Sequence, residues 1–108
     1  MQVRLFIAIT ASIYISAPAF AADDGETLFK NNGCGSCHSL AKQGVGPALK
    51  DIAAKYAGYK KAQAMLEKKV RSGGSGSFPS MPMPMPATAA SVSDASIKTM
   101  VTWILNQK

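Results

Sequence analysis

The chain has 108 residues, with 12 lysines and arginines against 6 acidic residues, for a formal charge of +6. That length bounds it to one small domain. Two cysteines and one histidine are too few for a four-ligand zinc site, and no aromatic residues interleave with the basic ones as a nucleic-acid surface would require.

The N-terminus has the pattern of an export signal. Arg4 supplies a positive start, Leu5 to Ile15 is an apolar run broken by Thr10 and Ser12, and Ala19-Phe20-Ala21 is a small-x-small cleavage site. The apolar run is short for a membrane anchor, which needs about 20 residues. The expected organisation is a signal peptide over 1–21 and one domain over 22–108, carrying +5 once Arg4 is removed. A domain this small buries limited apolar surface, so a covalently held apolar group would act as a staple.

Asp23 to Asn32 reads as a first helix, capped by Asp23 with Glu26 as the reciprocal partner. Gly25 and Phe29 share a face, Gly25 offers room for another helix, and Gly33 stops the helix.

Cys34-Gly35-Ser36-Cys37-His38 follows. Two thiols three positions apart, with histidine next, is the spacing for c-type haem attachment. Each thiol can add to one haem vinyl group, and the imidazole then lies under the iron as an axial ligand. The competing readings are a thioredoxin-like redox pair, a structural disulfide and half of a zinc site. The redox pair expects a preceding strand, which Glu26 to Gly33 does not resemble.

Ser39 to Pro47 is a loop punctuated by Gly44-Val45-Gly46-Pro47. A carbonyl here is the nearest candidate to accept the second ring N–H of His38. Ala48 to Tyr56 reads as a short helix closed by Gly58, with Leu49, Ile52, Ala53 and Tyr56 on one face. Tyr56 and Tyr59 are candidates to point a hydroxyl at a haem propionate, against the plainer role of core edge. Lys60 to Ser72 reads as a third helix. Its stripe is Ala62, Met65, Leu66, Lys69 and Val70, Met65 is assigned to the core, and Glu67 can pair with Arg71.

Gly73 to Val92 is too rich in glycine and proline for a regular helix or a central strand. It contains Met81-Pro82-Met83-Pro84-Met85-Pro86, three thioethers on a stiffened segment. One of them can close the sixth position of the iron. A ligand-free loop and a soft Cu(I) site are the rival readings. Ser93 to Gln107 is the last helix, capped by Ser93, with Ile97, Met100, Val101, Ile104 and Leu105 as its core stripe and Trp103 at the edge.

Taken together these segments resemble the small bacterial class I cytochromes c, the monohaem carriers of the cytochrome c-551 type. The resemblance rests on Cys34-Gly-Ser-Cys37-His38, Val45-Gly46-Pro47-Ala48, Lys50 to Gly58, Pro82-Met83-Pro84 and Trp103-Ile104-Leu105. It implies an all-α cytochrome c fold, four short helices around one covalently attached haem, with the first and last helices crossing. It implies that the Pro47 carbonyl holds the His38 ring and that Met83 is the second axial ligand. Two positions depart from the family pattern: Phe78 stands where a tryptophan donates to a propionate, and Pro86 stands where an asparagine follows the ligand. The stretch Ala87 to Ser91 is also a few residues longer than the family pattern.

The function implied is a periplasmic one-electron carrier, not an enzyme, shuttling electrons between respiratory redox proteins. The lysines at 42, 50, 55, 60, 61, 68 and 69 would steer it to acidic docking surfaces. A monomer that keeps no membrane insertion after signal cleavage and binds no nucleic acid is expected. The alternatives are a haem subunit of a dehydrogenase or reductase complex, and a five-coordinate, ligand-binding haem protein.

Overall fold

The computed structural model describes residues 9–14 and 24–108. The expected cleavage site and part of the apolar run lie outside the described residues. No helix among those described is long and apolar enough to cross a membrane. The architecture is all-α: α1 (Gly25–Asn31), a 3-10 turn over Cys34–Ser36, α2 (Leu49–Lys55), α3 (Ala62–Ser72) and α4 (Asp94–Leu105). The one β-type pairing among the described residues is an isolated antiparallel bridge between Gly74 and Met85.

Helix α1 starts one residue later than expected. Asp24 is the N-cap, and its Oδ1 accepts from the Thr27 amide at 2.8 Å. Asp23 lies outside the described residues. Glu26 does not reach back to the cap but pairs with Lys30 at 2.9 Å, an exposed i,i+4 contact of small energy. Gly33, at φ +74°, reverses the chain into the cysteine motif.

Helices α1 and α4 pack at close range through Gly25. A β-carbon there would lie 2.3 Å from Trp103 Cβ and 2.7 Å from the Thr99 carbonyl oxygen. Trp103 also meets Phe29, with ring centroids 5.3 Å apart. The Ser93 hydroxyl caps α4 by accepting from the Ser96 amide. The core joins Phe29, Leu49, Ile52, Val70, Ile97, Met100 and Val101, so all four helices contribute. Leu49, Ile97, Met100 and Val101 are essentially sealed from solvent, each stabilising the fold by about 1.5–3 kcal/mol.

Two expectations for α3 are corrected. Met65 is 37% exposed and is not core; the buried stripe narrows to Ala62 and Val70, with Leu66 packed beside it. Arg71 turns away from Glu67. Its guanidinium donates to the carbonyls of Ala89 and Val92 at 3.0 and 2.6 Å and to Asp94 at 2.8 Å. Those partners lie on the long loop and the start of α4, so a tertiary contact replaces the local one. Thr88 adds a second tie, its hydroxyl donating to the Val70 carbonyl at 2.7 Å.

Candidate functional site

The cysteine motif is folded by local bonds. Within and just after the 3-10 turn, the amides of Cys37 and His38 donate to the Cys34 carbonyl at 3.2 and 3.1 Å. The following loop doubles back, and the Gly46 amide donates to the Cys37 carbonyl at 2.8 Å. It then feeds α2, whose Leu49 and Lys50 amides donate to the carbonyls of Ser39 and Leu40. The two limbs of the loop are thereby held against each other, with the histidine between them.

His38 Nδ1 lies 2.8 Å from the Pro47 carbonyl oxygen. A proline carbonyl can only accept, so the proton is on Nδ1, and Nε2 carries a free lone pair suited to a metal. Gly46 makes the ring's seat. A β-carbon at Gly46 would lie 2.7 Å from His38 Cε1 and 2.9 Å from Nδ1. The Phe29 ring lies 6.5 Å away, centroid to centroid.

Both thiols are free and half-buried. Burial pushes the Cys34 thiol above its ordinary pKa, and the neighbouring Cys37 adds to the effect. Cys34, Cys37 and His38 face a cavity of about 590 Å³. Its floor is core: Phe29, Leu49, Ile52, Val70, Met100 and Val101. The long loop supplies another part of the wall, including Phe78 and all three of Met81, Met83 and Met85.

The structure therefore brings together every candidate site residue: Cys34, Cys37, His38, Pro47 and Met83. Of the tyrosines, Tyr56 lines the cavity, whereas Tyr59 is half exposed and lines a separate groove with Lys60. Tyr59 is thus removed from the site. Lys69 is the lysine that lines the cavity, and its place in the α3 stripe beside Leu66 and Val70 was the available signal. Lys55 was not singled out for the site; its ammonium donates to the Ser77 carbonyl and lies 4.5 Å from the Phe78 ring centroid, a cation–π contact. Gly73, legible in the sequence as the stop of the third helix, has a further part here. At φ +69°, with a β-carbon position 2.3 Å from the Met85 carbonyl oxygen, it lets the loop close on α3.

An apolar cavity, two unpaired thiols and an imidazole of fixed tautomer fit a large flat apolar cofactor with a central metal. Among the described residues no three His, Cys, Asp or Glu side chains cluster as a bare metal site.

The comparisons with known proteins agree. The cytochrome c family model matches residues 22–108. Cytochrome c-551 of Pseudomonas aeruginosa is 40% identical over 108 residues, the full length of both chains. Cytochrome c-551 of Allochromatium vinosum is 47% identical over 89 residues, 82% of this chain and 89% of that one. The crystal structure of Nitrosomonas europaea cytochrome c552 superposes with a TM-score of 0.69 at 44% identity, covering 77% of this chain and 99% of that one. The chain accordingly belongs to the cytochrome c family, as a small class I member of the cytochrome c-551 type, a carrier of electrons between redox partners that holds one covalently attached haem c and is not an enzyme.

Proposed function

We propose that Cys34 and Cys37 hold the haem and that His38 and Met83 are its axial ligands. Each free thiol would hold the haem by adding its S–H across a vinyl C=C, sulfur to one carbon and hydrogen to the other, with no change in net electron count. With Nδ1–H committed to Pro47, Nε2 is the nitrogen of His38 that would bind the iron. That hydrogen bond, in a cavity that also holds both thiols, is the observation that carries the reading. It orients the ring and raises the basicity of the ligating nitrogen. A thioether on the other side favours the reduced state and raises the potential. The haem, when bound, supplies a one-electron Fe(III)/Fe(II) couple. The protein's part is to exclude water from the porphyrin faces and to keep both ligands in place, so that little moves when the charge changes.

The carrier is exported and works in the periplasm as a monomer, on the support of Arg4, the apolar run and Ala19-Phe20-Ala21. Exposed Lys42, Lys50, Lys60, Lys61 and Lys68 give partners with acidic surfaces an attractive target.

The test is the visible spectrum of protein expressed with haem-attachment machinery. Sharp low-spin c-type bands on reduction, with the weak far-red band of a thioether–Fe(III) bond on oxidation, are expected. A high-spin spectrum, with avid carbon monoxide binding on reduction, would transfer the protein to the ligand-binding class. N-terminal sequencing of the exported chain is expected to begin at Ala22, and retention of Met1 would overturn the cleaved signal.

A further inference from the structure

The long loop is closed on itself below its tip. The Gly74 amide donates to the Met85 carbonyl at 2.8 Å, and the Met85 amide returns the bond to Gly74 at 2.9 Å. Residues 75–84 are thus a ten-residue loop whose ends are pinned, and Met81 and Met83 both lie inside it. Met85 is at the closure and packs against the core.

Within the loop, the first limb is held by Lys55 on the Ser77 carbonyl and the Phe78 ring. The Met81 amide donates to the Phe78 carbonyl at 3.1 Å. Beyond that point the tip is bare of backbone bonds. Pro79, Pro82 and Pro84 have no N–H, and Met83, 61% exposed, donates no backbone bond. Met81 and Met83 nonetheless both line the cavity.

We infer that this chain provides the iron with two interchangeable thioether ligands, Met83 and Met81, and that Met85 is excluded from the exchange. The inference rests on the reading of Met83 as axial ligand. Moving the ligand from Met83 to Met81 displaces an extended chain by two residues, about 6.6 Å at 3.3 Å per residue. The methionine's three rotatable bonds absorb part of that reach, and rearrangement of the tip absorbs the rest at the cost of one turn hydrogen bond. The Gly74–Met85 bridge stays intact. Met85 also lines the cavity, but its backbone is held by both bonds of that bridge and its side chain packs against the core, so drawing it to the iron works against both.

The experiment compares the haem-loaded parent with Met83→Leu, Met81→Leu and the double variant, leucine being close in volume and lacking sulfur. The readouts are the far-red thioether–Fe(III) band and carbon monoxide binding by the reduced protein, with helix content as the folding control. Both single variants are expected to keep the band and resist carbon monoxide. The double variant is expected to lose the band and bind carbon monoxide readily. Loss of the band in Met83→Leu alone would overturn the exchange and leave Met83 as sole ligand. Loss in Met81→Leu alone would overturn the Met83 reading itself. A band that survives the double variant would assign the ligand to Met85 and overturn the exchange. Should Met83→Leu not fold, Met83→Gln also lacks a thioether and is read in the same way.

Discussion

The α-carbon of Gly46 faces the His38 ring so closely that a β-carbon would stand 2.7 Å from Cε1. The glycine is therefore part of the histidine's seat. The residue after it, Pro47, accepts the ring's N–H at 2.8 Å, so one dipeptide sets both the position and the tautomer of the imidazole.

Gly46→Ala forces that ring to move or the loop to open. The overpacking is expected to cost about 1–3 kcal/mol of stability and to weaken the bond to Pro47. Thermal unfolding of the haem-loaded protein measures the first effect. A raised reduction potential measures the second, because a ligating nitrogen whose partner bond is weakened is less basic and stabilises Fe(III) less.

Gly25→Ala tests the crossing of α1 and α4. The added carbon would stand 2.3 Å from Trp103 Cβ and 2.7 Å from the Thr99 carbonyl oxygen. Backbone cannot yield as a flexible side chain does, so a loss of about 1–3 kcal/mol or more is expected. An unchanged midpoint in denaturant titration would show that the helices separate freely.

Met100 and Met65 separate two uses of one residue type. Met100 is 1% exposed in the core and Met65 is 37% exposed on α3. Met100→Ala is expected to cost about 2–5 kcal/mol. Met65→Ala is expected to stay within about 0.5 kcal/mol. Urea unfolding of the two variants side by side measures the difference.

Arg71→Met removes three hydrogen bonds that join α3 to the long loop and to α4. The half-buried Val92 carbonyl loses its partner, and a loss of about 1–3 kcal/mol is expected. The loop carries the methionines, so faster entry of an exogenous ligand such as imidazole is also expected. Stopped-flow binding to the oxidised protein measures it.

Asp24 gives the cap of α1 a pH dependence. The Thr27 amide and hydroxyl hold its carboxyl below the ordinary carboxylate value. A group whose pKa is depressed on folding stabilises above its unfolded pKa and loses that contribution as pH falls through the folded value. The stability of the parent should therefore decline relative to Asp24→Asn as the pH falls from the ordinary carboxylate value through the lower folded one. Melting midpoints of the two proteins across acid pH check the sign.

Much of this was legible in residues close in sequence. The spacing of Cys34, Cys37 and His38 points to haem attachment from the sequence alone. The α4 stripe of Ile97, Met100 and Val101 is a period of 3.6 residues that admits one buried face. The glycines at 33, 58 and 73 mark helix ends because a left-handed turn excludes side chains there. The choice of Asp24 over Asp23 as cap lay below that resolution, since adjacent acids offer the same oxygen one residue apart.

What the sequence by itself determined is therefore local: helix periods, chain reversals and the chemical identity of a cysteine pair followed by histidine. What only the tertiary structure decided are the partners of side chains with several equal options. Arg71 had Glu67 one turn away but meets Ala89, Val92 and Asp94, because the returning loop brings two carbonyls, that of Val92 half-buried, and the Asp94 carboxylate within reach of one guanidinium. Met65 and Met100 fit their helical stripes alike, and only the packing of α3 against α4 leaves one exposed and seals the other. Met81, Met83 and Met85 are chemically the same, and the Gly74–Met85 bridge fixes the backbone of Met85 while Met81 and Met83 lie inside the loop it closes. Each outcome depends on chain segments far apart in sequence, which period and propensity do not encode.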